Sequence, residues 1–142
     1  MEAPFIEFKH ISKYFSRVIA NQDVSFSINK GEVLALLGEN GAGKSTIMKV
    51  LYGLYHAEEG EILIDGTPCR IHSPQDAMRR GIGMIQQHFS LIPAHSVLEN
   101  IILGNEKGIL NPSKLNKKIK ALTEKYNFDI DPQSYIKDLP LF

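Results

Sequence analysis

The 142 residues are enough for one domain with a buried core. Lysine plus arginine and aspartate plus glutamate both number 16, so no global charge draws the chain to nucleic acid or lipid. The single Cys69 excludes an internal disulfide and fits a reducing compartment, and no apolar stretch approaches the roughly 18–20 residues that span a bilayer.

The opening segment, MEAPFIEFKHISKYF, lacks the basic start and long apolar centre of a secretory signal. Phe5-Ile6-Glu7-Phe8 alternates and predicts a half-buried strand, as does Val24-Ser25-Phe26-Ser27-Ile28. Lys30-Gly31-Glu32 forms a turn into the all-apolar run Val33–Leu37, the pattern of a strand covered on both faces.

Directly after that run stands GENGAGKST, from Gly38 to Thr46, a complete match to G-x-x-x-x-G-K-[ST]. Glycines 38, 41 and 43 allow the backbone to turn with its N–H groups pointing inward, a concavity for anionic oxygens. Glu39, Asn40, Ala42 and Thr46 complete the cradle. Lys44 has the reach for β- and γ-phosphates, and the Ser45 hydroxyl suits a position on Mg²⁺. A helix is expected from about Lys44 to Leu54, with Ile47, Met48, Val50 and Leu51 as its apolar face. It would direct roughly half an elementary charge at the same phosphates. A strand, this loop and a helix in succession imply a nucleoside triphosphate site.

Further along comes Glu58-Glu59-Gly60, then Glu61–Ile64 as a strand and Asp65-Gly66 as a hairpin signal. Ser73-Pro74-Gln75-Asp76 is a helix start, with a serine cap and proline at the first position. That helix should end by Gly81, and Ile82–Ile85 should resume as a strand. Residues 86–93 read as a loop. Ser96 is expected to cap a helix bearing Val97, Leu98, Ile101 and Ile102, and Asn111-Pro112 starts the last helix. Leu115, Ile119, Leu122 and Tyr126 lie on one face of it at helical spacing. Lys114, Lys117, Lys118, Lys120 and Lys125 fall largely elsewhere, as on an ordinary solvated face rather than a nucleic-acid surface.

The loop GENGAGKST, followed by Gly53-Leu54 and then EGEI-x₂-DG from Glu59 to Gly66, resembles the ATP-binding subunits of ABC transporters. GIGMIQQHFSLIP-x₃-V-x₂-NI-x₂-G, from Gly81 to Gly104, is similar to that family's Q-loop region. The resemblance implies an α/β fold: a P-loop NTPase core with an antiparallel β subdomain and the start of a helical subdomain. On that reading residues 1–85 form the β subdomain and P-loop core, and residues 86–142 the Q-loop and part of the helical subdomain. Gln87 becomes the Q-loop glutamine that touches Mg²⁺ and the attacking water; the register of Gly83-Met84 favours it over Gln86. Phe15 takes the place of the aromatic that stacks on adenine, with Tyr14 as the substitute.

Within the family, HFSLIP-x₃-V-x₂-NI-x₂-G looks most like importers of simple sugars and nucleosides, whose ATPase polypeptides usually carry two nucleotide domains in tandem. The implied cofactors are ATP and Mg²⁺. The implied partners are integral-membrane permease subunits, a second nucleotide-binding domain and a solute-binding protein, with no nucleic acid. The implied location is the cytoplasmic face of the membrane, held there peripherally. Phe89 and Leu91 are candidates for permease contact, whereas Val97 is assigned to packing.

The family's signature segment should follow a lead-in like Ile136-Lys137-Asp138-Leu139, but Pro140-Leu141-Phe142 stands there. The Walker B aspartate with its catalytic glutamate and the switch histidine have no counterparts, so the domain is expected to be incomplete and inactive alone. Ile62-Leu63-Ile64-Asp65 mimics a Walker B strand, yet Gly66 follows in place of an acid. Two other readings share the loop chemistry: an ABC-type ATPase acting on DNA or ribosomes, and a nucleotide-binding module that never hydrolyses.

Overall fold

The computed structural model describes residues 3–88, 90–104 and 111–140, and divides into two compact units at Ile85/Gln86. The first unit holds a four-stranded antiparallel sheet in the order β2-β1-β3-β4, formed by β1 (Ile6–Phe15), β2 (Val18–Ile28), β3 (Glu59–Ile64) and β4 (Thr67–Cys69). Helix α1 (Lys44–Leu51) packs against it.

Alternation predicts only the first part of β1, because the strand changes phase midway. Ile6 and Phe8 are buried, and then Ile11 rather than residue 10 turns inward. A bulge between Phe8 and Ile11 causes the switch, with His10 in the left-handed region at φ 52°. Asp23 across the ladder has φ 50°, and its carboxylate lies 2.6 Å from His10 Nδ1. β3 begins at Glu59, two residues before the expected strand, and Gly60 lies against the bulge. A Cβ on Gly60 would sit 2.4 Å from the Lys9 and His10 carbonyl oxygens, and its φ is +85°. Only glycine fits both conditions.

The expected Asp65-Gly66 hairpin forms. Both residues have positive φ (47° and 74°), as a type I′ turn requires, and Ile64 pairs with Thr67. Asp65 thus sits on an exposed turn beside Lys30, 3.0 Å away, and not at the end of a core strand. Phe8 stacks on Phe26 across the ladder with centroids 4.3 Å apart. Beneath them Ile47, Val50 and Leu51 of α1 join Ile6, Ile11, Ile62, Ile71 and Ala77 in one core. Each of the larger aliphatic side chains stabilises by about 1.5–3 kcal/mol when fully buried, which ties the helix carrying the loop motif to the sheet.

Two expected strands are absent. Val33–Leu37 and Ile82–Ile85 have no ladder, and Val33, Leu37 and Ile85 are 96%, 91% and 92% exposed. Leu36 and Ile82 alone in these runs pack against the core. A strand needs a neighbour for its backbone groups, and the described residues place none beside either run. The short helix α2 (Pro74–Arg79) forms as predicted; its Ser73 cap accepts the Asp76 N–H at 3.2 Å. The His72 backbone N–H and then Arg80 hold the Asp76 carboxyl below the usual range.

The second unit contains α3 (Val97–Ile102) and α4 (Pro112–Lys125). Ser96 and Glu99 form a full capping box at α3, and Asn111 caps α4. The residues after α4 fold back: Val97 N–H donates to Ser134 O, Leu98 N–H to Pro132 O and Ile136 N–H to His95 O, at 2.9, 2.8 and 3.0 Å. On α4 only Ile119 of the predicted face is buried. Leu122 and Tyr126 are half exposed. The expected lysines all face solvent. Among the described residues no helix is long and apolar enough to cross a membrane.

Replacing Gly60 by alanine should cost about 2 kcal/mol or more, through left-handed strain and a backbone collision; urea denaturation measures it. The second unit should show an acid limit. The Ser96 backbone N–H, then its hydroxyl, lowers the Glu99 pKa. A lowered folded value means that the box stabilises above the ordinary carboxylate range and is lost as pH falls through the folded value. The protection factors of amides 97–100, referred to the intrinsic exchange rate at each pH, should therefore fall below that range in the native chain, and Glu99→Gln should remove the pH step.

Candidate nucleotide site

The loop from Gly38 to Gly43 leads into α1, whose N-cap is Gly43 itself at φ 80°, ψ 2°. Gly38 and Gly41 also lie at positive φ (155° and 89°), so the turn follows the glycine spacing read from the sequence. Ala42 N–H donates to Glu39 O at 3.2 Å. Lys44 folds back over the loop, and its Nζ donates to the Gly38 and Glu39 carbonyls, both at 2.7 Å. An ammonium is thereby held at the mouth of a glycine turn and beside a helix N-terminus, where both fields favour an anion. Ser45 is exposed in the first helical turn and Thr46 is half-buried. Glu39, Asn40 and Ala42 are exposed around the loop.

Beneath the loop lies a contact that sequence reading missed. The Asn21 amide of β2 is buried and donates to the Gly43 carbonyl at 3.2 Å. A Cβ on Gly43 would stand 2.2 Å from the Ala20 carbonyl oxygen and 2.5 Å from Asn21 Nδ2. Gly43 therefore serves two ends, a left-handed cap and a contact with β2 too close for any side chain. The signal available in the sequence was a lone asparagine at an inward position of an otherwise apolar-facing strand.

Phe15 ends β1 and is 38% exposed, as a surface for stacking must be. It meets Tyr55 edge-on, with centroids 5.0 Å apart at 75°. Tyr14 is half-buried, and its hydroxyl lies 3.4 Å from Glu59, which leaves Phe15 the more accessible aromatic. Gln87 lies in the second unit on an exposed bend, with the exposed Gln86 beside it. Leu91 is also largely exposed, and Val97 is buried. Phe89 lies outside the described residues. Asn100, not singled out by sequence, fastens this loop: its side chain accepts from Ile92 N–H at 2.8 Å and donates to Ile92 O at 3.1 Å.

The arrangement suits a polyphosphate, and comparison with known proteins identifies the lineage. The ABC transporter family model matches residues 21–139. The chain belongs to the ABC transporter family. It is 47% identical over 137 residues to the nucleoside import ATP-binding protein NupA of Lactococcus lactis subsp. cremoris, covering 94% of this chain and 27% of NupA. It is 52% identical over 104 residues to the glucose import ATP-binding protein TsgD13 of Haloferax volcanii, covering 73% of this chain and 19% of that relative. The chain thus spans about a quarter or less of these curated relatives. Among solved structures, the ADP conformation of MJ1267, an ATP-binding cassette of an ABC transporter, superposes with a TM-score of 0.82 at 25% identity. That match covers 97% of this chain and 59% of MJ1267.

Gly43→Ala should be the most damaging single methyl in the loop. We expect a loss of about 2 kcal/mol or more in urea unfolding, with amide exchange rising first at residues 43–47. Unchanged stability would mean that β2 does not approach the loop this closely.

Proposed function

We propose that the chain holds Mg-ATP in its phosphate loop, as the nucleotide-binding part of an ABC import ATPase for a simple sugar or nucleoside. The observation that carries this is the loop itself: positive-φ glycines at 38, 41 and 43, with the Lys44 ammonium drawn across their carbonyls. Backbone amides from Gly38 to Thr46 would receive the phosphate oxygens, and Lys44 would exchange its two carbonyl partners for β- and γ-oxygens. Phe15 would stack on the base.

The donor set fits magnesium. Among the described residues no cluster of three or more histidine, cysteine or acidic side chains could hold a metal ion. A hard ion that keeps waters and phosphate oxygens needs only one or two protein oxygens; Ser45 in the first turn of α1 would supply one, and Gln87 is proposed for the other from the family resemblance alone. When bound, the ion neutralises charge on the β- and γ-phosphates.

Similarity to the nucleoside and glucose import proteins over most of this chain supports the transport assignment. The partners proposed are permease subunits, a second nucleotide-binding domain and a solute-binding protein, at the cytoplasmic face of a membrane. Leu91, on its loop, is proposed to face the permease. Turnover is assigned to the assembled protein, because the family's Walker B aspartate and catalytic glutamate have no counterparts in these residues. The exposed runs at 33–37 and 82–85 are proposed to become central strands once neighbours pair with them.

Equilibrium binding of Mg-ATP to the full chain and to Lys44→Ala tests the proposal. Losing a charge-assisted contact should weaken binding on the order of tenfold or more, with the melting temperature unchanged. Equal affinity in the two proteins would refute it.

A further inference from the structure

At the far end of α1 from the phosphate loop, a second set of contacts gathers around Phe15. Glu58 stands just before β3 and grips the end of β1 with both carboxylate oxygens. Oε1 accepts from Lys13 Nζ at 2.6 Å and Oε2 from Tyr14 N–H at 2.9 Å. The backbone closes the same junction, Glu58 N–H donating to Ser12 O at 2.9 Å. The Lys13 side chain is only 11% exposed, and its ammonium lies over the Phe15 ring, 5.0 Å from the centroid. Tyr55 closes one edge of that ring, and Lys49 of α1 lies over Tyr55 at 5.5 Å. Tyr55 N–H donates to Lys49 O at 3.2 Å, fastening the segment to the helix that begins at the phosphate loop.

Resting on the reading of Phe15 as the base-stacking residue, we propose that Glu58 and Lys13 are positioning residues for the nucleobase. Glu58 pins the Lys13 ammonium against one face of Phe15, which leaves the opposite face for the base and fixes its distance from the phosphate loop. A cation on one face draws π-density from the ring and strengthens stacking of an electron-rich, wide heterocycle on the other. A purine meets that description better than a pyrimidine. The charge needed for the grip is secure at neutral pH: the Lys13 hydrogen bond, with help from Tyr14 N–H, holds the Glu58 carboxyl below its ordinary value.

The test separates base from phosphate. Affinities of the full chain for Mg-ATP and for magnesium tripolyphosphate, which has no base, are measured in the wild type, Glu58→Gln and Lys13→Met. The expected result is that both variants lower the ratio of ATP to tripolyphosphate affinity about fivefold while tripolyphosphate affinity holds. Retained tripolyphosphate binding also certifies that the variants are folded. A wild-type preference for ATP that both variants keep would overturn this inference alone. An equal fall in both affinities would overturn it too, making the grip merely structural. A wild type that binds the two ligands equally would overturn the Phe15 reading and this inference together. Binding of neither would overturn the phosphate-loop reading on which both stand.

Discussion

The structure depends on how closely β2 approaches the first turn of α1. At Gly43 the helix begins with no side chain, because the Ala20 carbonyl and the Asn21 amide occupy the space where a Cβ would lie. That contact fixes the start of the helix, and the start of the helix fixes the loop preceding it. Residues Ile47, Val50 and Leu51 then hold the same helix onto the sheet. The loop's exposed glycine turn is thus shaped by one close backbone contact and one short apolar face.

The sheet has its own constraint in the paired irregularity at His10 and Asp23. Both residues adopt left-handed backbone geometry, and the bulge reverses which side of β1 faces inward. Without this phase change, His10 would point into the core and Ile11 to solvent. Gly60 admits the bulge on one flank, and Ser12 and Ser25 hydroxyls tie it on the other by accepting Asp23 and His10 N–H at 3.1 and 2.8 Å. The extension to Phe15 follows from it, so the aromatic at the strand end owes its place to a defect in the middle.

What the sequence revealed and what it hid divide along physical lines. Local chemistry was legible: the serine and asparagine caps, proline at helix starts, the Asp65-Gly66 turn and the glycine spacing of the loop all act within a few residues. Effects across the chain were not. No periodicity rule reads through a bulge, so β1 and β2 were predicted too short. Val33–Leu37 has the composition of a buried strand, yet composition cannot supply the neighbour that would bury it. Asn21, Glu58 and Asn100 act through partners 22, 45 and 8 residues away, a separation that single-sequence patterns do not encode. The family resemblance identified the lineage, because it rests on whole segments and not on local period.

The proposed function requires that main-chain amides of the loop, aided by Lys44, enclose a polyphosphate. The most direct measurement is an NMR titration of the isotopically labelled chain with Mg-ATP, following backbone amides residue by residue. Saturable shifts are expected, concentrated at residues 38–46, with α2 and α4 unaffected. Loop amides that stay unmoved at saturating nucleotide, in a chain whose sheet resonances show it folded, would contradict it.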